Sequence, residues 1–123
     1  DNVSLIAERL YQSSLRGIHE AVVILCEAGA PIDKKHIDGF TPLAIASVHG
    51  HVEVVRYLCE QRGDTESAAH NHLTPLLGAC VEGHVEVVRC LCEAHANTES
   101  TLEDGATALL LAAMSDHWAI VKH

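Results

Sequence analysis

The stretch Gly50–Arg56, GHVEVVR, occurs a second time at Gly83–Arg89. The identity continues into Leu-Cys-Glu after each copy and is broken only where Tyr57 of the first copy corresponds to Cys90 of the second. A match of this length in so short a chain indicates an internal repeat, whose spacing is the separation of Gly50 from Gly83. Because repeat units of this size pack against their sequence neighbours, the repeat decides the fold.

The same repeat spacing organises the whole chain. The segment Thr41-Pro42-Leu43 corresponds to Thr74-Pro75-Leu76 and to Thr107-Ala108-Leu109. Four units follow, at about 1–33, 34–66, 67–99 and 100–123. We expect them to form a single domain over residues 1–123. Since the last unit ends inside its second helix, we also expect the chain to be a fragment of a longer array.

The residues of one unit predict a pair of helices. Thr41 is suited to cap a first helix, Pro42 to occupy its first position, and Gly50 to adopt the left-handed conformation that ends it. A second helix is predicted over 52–61, where apolar residues recur on one face at helical spacing. Neither helix can bury its apolar stripe alone, so the units must stack.

Composition and charge narrow the classes of partner. With 48% hydrophobic residues the chain can bury a core. No apolar run approaches the roughly 20 residues that span a bilayer. The net charge of −9 opposes binding to nucleic acid or anionic lipid, because phosphate is repelled. Acidic residues are concentrated between Glu82 and Asp116, which predicts a partner protein with a basic patch.

Cysteine spacing bears on the compartment. Of the five cysteines, Cys26, Cys59 and Cys92 follow one another at the repeat spacing. On neighbouring stacked helices their backbones would lie about 8–10 Å apart, which is beyond the reach of a disulfide. We therefore expect them to be buried as small hydrophobic residues in a reducing compartment, either the cytoplasm or the nucleus.

Two segments carry a family resemblance. Residues 38–60, DGFTPLAIASVHGHVEVVRYLCE, and residues 72–93, HLTPLLGACVEGHVEVVRCLCE, resemble the ankyrin repeat. The resemblance covers essentially the whole chain. It implies an all-α solenoid of stacked antiparallel helix pairs, from which β-turn fingers project, with Asp38-Gly39 at one finger tip. It also implies that the histidines after the helix-ending position are structural, which applies to His51, His84 and His117.

The chain departs from the family pattern at two kinds of position. The histidine that follows Thr-Pro-Leu in the family and braces the fingers is replaced by Ala44, Leu77 and Leu110. The glycine that ends the second helix is replaced by Arg62 and His95. A side chain in a left-handed conformation costs about 1 kcal/mol. We therefore expect these connectors to be weak points, or Gly63 to take over the turn in the second unit.

The resemblance implies a protein-binding module without catalytic activity. No catalytic or phosphate-binding motif is present, and no cofactor or metal is predicted. A zinc-binding histidine surface stays an alternative, as does a regulatory or targeting module of a larger enzyme or channel. The predicted binding site is the concave face, where fingers and first helices carry variable residues. These are Leu15, Arg16, Ile37, Phe40, Val48, His49, His70, Leu73, Val81, Glu82, Glu103 and Met114.

One part of that site has two interpretations. Leu15, Val48, Val81 and Met114 form an apolar row, with one residue in each unit. The row either contacts the partner or packs between neighbouring first helices.

Overall fold

The computed structural model of this chain describes residues 2–101 and 107. Within them the chain forms six α-helices and a single 3-10 turn at His70–His72. The helices are α1 (Asn2–Arg16), α2 (His19–Glu27), α3 (Pro42–His49), α4 (Val52–Glu60), α5 (Pro75–Glu82) and α6 (Val85–Glu93). An isolated antiparallel bridge joins Thr101 to Thr107. The all-α prediction is confirmed, while most of the predicted fourth unit lies outside the described residues.

The first helices begin and end as the sequence predicts. The Thr41 hydroxyl accepts a hydrogen bond from the Ala44 amide at 3.1 Å, and the next first helix has the same cap one unit later. Pro42 occupies the first turn, where a missing N–H costs nothing. Gly50 follows in the left-handed conformation at φ 77°. Helix α4 ends at Glu60, one residue before the predicted limit, with Gln61 as its cap.

The Gly-His pair that opens the quoted motif links successive units. The ring Nε2 of His51 donates to the carbonyl of Leu15 at 2.8 Å, and that of His84 to the carbonyl of Val48 at 2.9 Å. Because a carbonyl oxygen only accepts, Nε2 carries the proton in both rings. The structural role predicted for these two histidines is confirmed, and His117 lies outside the described residues.

The helices pack in two rows. Each first helix contacts the second helix of its own unit and the first helix of the next, and the second helices contact one another in the same order. The core between the rows is built from small and aliphatic side chains. Its fully buried members include Leu10, Val22, Leu43, Leu58, Leu76, Val87 and Leu91. Each unit therefore completes the burial of its apolar stripes against its neighbours, as the pattern requires.

The connectors after the second helices are strained, as predicted. Arg62 and His95 have positive φ values of 64° and 67°. The alternative that Gly63 takes over the turn is wrong, because Arg62 occupies the left-handed position itself. Successive connectors are also joined through hydrogen bonds. The Asp33 carboxylate accepts from the Asp64 amide at 2.8 Å, and Glu66 accepts from the Asn97 amide at 3.1 Å.

The burial predicted for the repeated cysteines is found only in part at two positions and is wrong at the third. Cys26 and Cys59 are partly buried, but Cys92 is exposed. Cys59 lies against Cys90 of the following second helix, which covers it. Cys92 holds the corresponding place on α6, the last second helix that the structure describes. Equivalent positions of the repeat therefore differ in burial, so the repeat pattern alone does not determine it.

Candidate functional site

We call the surface on which the binding residues were predicted the groove face. It consists of the two described fingers, residues 34–40 and 67–73, and the exposed sides of α1, α3 and α5. Five of the predicted residues are exposed, namely Arg16, Ile37, His49, His70 and Glu82. Five are partly buried, namely Leu15, Phe40, Val48, Leu73 and Val81. Glu103 and Met114 lie outside the described residues.

The partly buried residues of the groove face also pack the units together. A Cβ atom added to Gly78 on α5 would lie 2.8 Å from Cγ2 of Val48 on α3 and 3.9 Å from the Leu73 side chain. Gly78 is therefore the place where the first helices approach closely, and Val48 fills the space that its missing side chain leaves. Val48 is therefore partly buried because it packs against α5, which agrees with the packing interpretation of the apolar row.

The ends of α3 and α5 bring a group of histidines together. The His49 and His51 rings lie 6.1 Å apart. Burial lowers the pKa of His49, and the charges of His51 and His84 lower it further, while Glu82 opposes them. His49 is therefore held in its neutral form at pH 7. Among residues 2–101 and 107, no group of three or more histidine, cysteine or acidic side chains is placed to hold a metal ion.

The first finger is a tight turn that carries its own hydrogen bonds. The Gly39 amide donates to the carbonyl of His36 at 2.8 Å, and the His36 amide donates to the carbonyl of Phe40 at 2.8 Å. Gly39 has φ 92°, whereas the second finger places His72 in the corresponding left-handed position, at φ 62°. Lys35 Nζ donates to the carbonyl of Ala68 at 2.8 Å, which joins the two fingers. The two fingers are therefore in direct contact.

A polar and aromatic cluster fixes the first finger to α1, and the sequence analysis missed it. The Tyr11 and His36 rings are stacked, with centroids 3.8 Å apart and 7° between their planes. His36 Nε2 lies 2.8 Å from Glu8 Oε2, and the Tyr11 hydroxyl donates to Asp38. The signal was present, because at the repeat spacing Tyr11 aligns with Ala44, one of the places where the bracing histidine is missing.

Helix α1 reaches this cluster because it is longer than the other first helices. It has 15 residues, whereas α3 has 8. At the repeat spacing, Arg9 corresponds to Pro42, so the segment Asn2–Glu8 is an extension that precedes the usual helix start. In the other described units a finger precedes the first helix in the sequence, whereas here the extension does. Ser4, Ala7 and Glu8 of the extension line a pocket of about 250 Å³ together with residues of the first finger.

The titratable groups of this cluster are perturbed by their contacts. Burial raises the pKa of Tyr11, and the hydrogen bond to Asp38 raises it further. Burial alone would raise the pKa of Asp38, but the hydrogen bonds from Tyr11 and the Phe40 amide, together with nearby His36, lower it below its usual value. The Asp38 carboxylate is therefore a stable hydrogen-bond acceptor at neutral pH.

Comparison with known families agrees with the architecture. A profile of the family described as ankyrin repeats, in three copies, matches residues 10–69 and 62–123. No curated protein matches the chain at a significant level. No helix of the described residues is both long and apolar enough to cross a membrane. The family profile extends over almost the whole sequence and coincides with the paired helices, the capping threonines and the Gly-His links. The chain therefore belongs to the ankyrin repeat family.

Proposed function

We propose that this chain is a non-catalytic module that binds a partner protein on its groove face, which is the concave face of the family's solenoid. Ankyrin repeats are generally protein–protein interaction modules, and such domains are typically non-catalytic. The proposal adds the face, the residues and the charge of the partner.

The contrast between the two faces carries the proposal. On the second helices, the pair Glu53–Arg56 recurs as Glu86–Arg89, each pair with an N–O distance of 2.7 Å. A pattern that is repeated unchanged contains little information about one partner. On the groove face, one repeat position holds a different residue in each described unit. These residues are Arg16, His49 and Glu82, and all three are exposed. This variation on the groove face supports it as the surface that distinguishes one partner from another.

The charge of the partner follows from the acidic end of the chain. Glu82 is exposed on the groove face, and the sequence adds Glu103, Asp104 and Asp116 after it. A basic patch on the partner would be steered toward this end, which increases the association rate more than the affinity. The basic patch is a prediction from charge alone.

Site-specific crosslinking tests the face. A photoreactive phenylalanine derivative replaces Ile37 or His49 on the groove face, or Glu60 on a second helix, in the intact chain. After irradiation in cell lysate, we expect the same partner to be captured from the first two positions and not from Glu60. Capture from Glu60 alone would place the binding site on the opposite side.

Substitutions then measure the contribution of single residues against the captured partner. Phe40→Ala and His49→Glu should each weaken binding at least fivefold in calorimetric titration, because residues near the centre of an interface dominate its energy. Glu60→Lys should leave affinity within twofold and change only the salt dependence of association. Val48→Glu should also weaken binding, but it disturbs the contact with Gly78 and needs a matching stability measurement.

A further inference from the structure

The pocket between α1 and the first finger is a distinct feature of the groove face. It has a volume of about 250 Å³. Its walls include Ala7, Glu8 and Tyr11 on the helix side, and Lys34, Lys35 and Ile37 on the finger side. Only Ile37 among these was predicted as a binding residue. The helix side of the pocket includes residues of the α1 extension, which α3 and α5 do not have.

The carboxylates around the pocket are engaged by internal partners. Glu8 accepts hydrogen bonds from His36 Nε2 at 2.8 Å and from Gln12 Nε2 at 3.1 Å. Asp38 accepts from the Tyr11 hydroxyl and, at 3.1 Å, from the Phe40 amide. Both carboxylates thus accept hydrogen bonds from donors within this cluster. Neither of them forms an ion pair with Lys34 or Lys35.

The lysines, in contrast, keep their charge available. The Lys34 ammonium has no hydrogen-bond or ion-pair partner among the described residues. Lys35 donates to the Ala68 carbonyl, a neutral acceptor that leaves the positive charge uncompensated. Two lysines without an ion-pair partner among the described residues therefore line the pocket, in a chain whose net charge is −9. Such a local reversal of sign attracts an anionic group.

An apolar surface lies beside these charges. Ile37, at the finger, is 96% exposed, the most exposed of the large hydrophobic residues that the structure describes. Covering a side chain of this kind is favourable. The pocket is also preformed, because the Tyr11–His36 stack holds its two sides and Tyr11 is only 5% exposed. A preformed pocket loses little conformational entropy when it binds.

We infer that this pocket binds a side-chain carboxylate of an extended segment of the partner protein, paired with Lys34 and Lys35, while a large apolar residue next to that carboxylate packs on Ile37. The inference rests on the proposed function and adds the chemistry of the partner at the first-unit end. The partner would thus place an acidic side chain at the first unit and its basic patch at the acidic C-terminal end of this chain. These two contacts would fix the direction in which the bound segment lies along the groove.

A displayed library of random linear dodecapeptides tests the inference on the intact chain. We expect the selected peptides to share Asp or Glu directly beside Leu, Ile, Val or Phe. The best peptide is then synthesised with an amidated C-terminus, so that only side-chain carboxylates are present, and its Kd is measured by fluorescence anisotropy. Circular dichroism confirms that each protein variant is folded.

Three variants separate the pocket from general charge. Lys34→Glu should weaken the peptide at least tenfold, while Arg56→Glu, which makes the same charge change on a second helix, should leave the Kd within twofold. Ala7→Phe fills the pocket without changing charge and should weaken binding at least fivefold. If Ala7→Phe fails to fold, Ile37→Ser takes its place, with the same expected loss.

The outcomes decide between the inference and its alternatives. Selected peptides without carboxylates, no enrichment over a selection without protein, or a Kd that Lys34→Glu leaves unchanged would each overturn it. In those cases, crosslinking of the partner from His49 would still support the proposed function, because His49 lies away from the pocket. Loss of crosslinking from both groove positions would instead remove the proposed function itself.

Discussion

At the scale of single residues, the repeated Gly-His pair shows how one unit specifies the next. The His84 ring lies against Gly50, and a Cβ atom added there would be 2.6 Å from ring Nδ1. The ring cannot move away without losing its hydrogen bond to the Val48 carbonyl. Glycine is thus required at this position for two independent reasons, its left-handed φ and the ring beside it.

The two reasons can be separated by a matched pair of substitutions. Gly50→Ala should destabilise the fold by about 2 kcal/mol, which sums the left-handed strain and the disturbed hydrogen bond. Gly29→Ala should cost only about 1 kcal/mol, because Gly29 has φ 92° but no atom within 4 Å of an added Cβ. Urea denaturation of both variants gives the comparison. Equal losses would mean that the His84 contact contributes nothing.

The strained connectors predict stabilising substitutions. Arg62→Gly and His95→Gly should each stabilise the protein by up to about 1 kcal/mol, since glycine adopts a positive φ without a steric penalty. The two effects should add, because the residues lie in different connectors. Gln61→Gly is the control in the same connector, at φ −84°, and should destabilise slightly. A lower urea midpoint for Arg62→Gly would show that its side chain makes compensating contacts.

At the scale of elements, the position of a finger depends on what lies at the bracing position of the preceding first helix. In the first unit this is Tyr11, which stacks on His36 and bonds to Asp38. In the second unit it is Ala44, which has no polar group to offer. The first finger is therefore held by side chains of α1, while the second is joined to the first through Lys35.

Removing one hydroxyl tests this attachment. Tyr11→Phe should destabilise the protein at pH 7 by up to about 1 kcal/mol and raise the pKa of Asp38, because a hydrogen bond that lowers that pKa is lost. A lowered native pKa adds stability that is fully present above the unfolded value of about 3.9 and is lost as pH falls through the native value. The difference between variant and parent should therefore shrink at pH 3. Urea midpoints at both pH values check this, and a difference independent of pH would contradict it.

The contact between α3 and α5 predicts an energetic coupling. Gly78→Ala would favour the helix by about 1 kcal/mol in isolation, but its Cβ would meet Val48 Cγ2 at 2.8 Å. We expect net destabilisation from Gly78→Ala alone, and recovery when Val48→Ala makes room. A double-mutant cycle should give a coupling of at least about 1 kcal/mol. Additive effects would mean that the helices separate without strain.

At the scale of the whole molecule, stability comes from interfaces between neighbouring units and is opposed by net charge. Each first helix packs on the next first helix, and each second helix on the next second helix. With a net charge of −9, the acidic side chains repel one another in the folded stack, and this repulsion lowers its stability. The surface ion pairs on the second helices, Glu53–Arg56 and Glu86–Arg89, are exposed and contribute little.

Screening this repulsion should stabilise the protein. Raising sodium chloride from about 20 mM to about 500 mM shortens the Debye length from roughly 20 Å to roughly 4 Å. The urea midpoint at pH 7 should increase over this range. The increase should be smaller near pH 5.4, the isoelectric point, where the net charge approaches zero. A midpoint that falls with salt at pH 7 would show that favourable ion pairs outweigh the repulsion.

The repeat and most local features could be predicted from the amino-acid sequence. The repeat spacing located the units, and capping by Thr41, the left-handed Gly50 and the strained Arg62 follow from the chemistry of single residues. The structural histidines and the family were also predicted from the quoted segments. The caps and turns depend on a residue and its near neighbours in the chain, and the histidine contacts recur at the repeat spacing, so a sequence pattern can reveal both.

Several contacts between units became visible only in the folded chain. Two of these contacts join residues that are distant in sequence, namely the approach of Val48 to Gly78 and the Tyr11–His36 stack. The exposure of Cys92 also differs from that of the equivalent cysteines. Tyr11 and His36 are separated by a helix and a connector, and the repeat register shows only that Tyr11 holds a bracing position, not which side chain it meets. The pocket beside them also requires the extension of α1, whose length no repeat unit specifies. Burial and pocket shape depend on which surfaces meet, and that is fixed by packing between units.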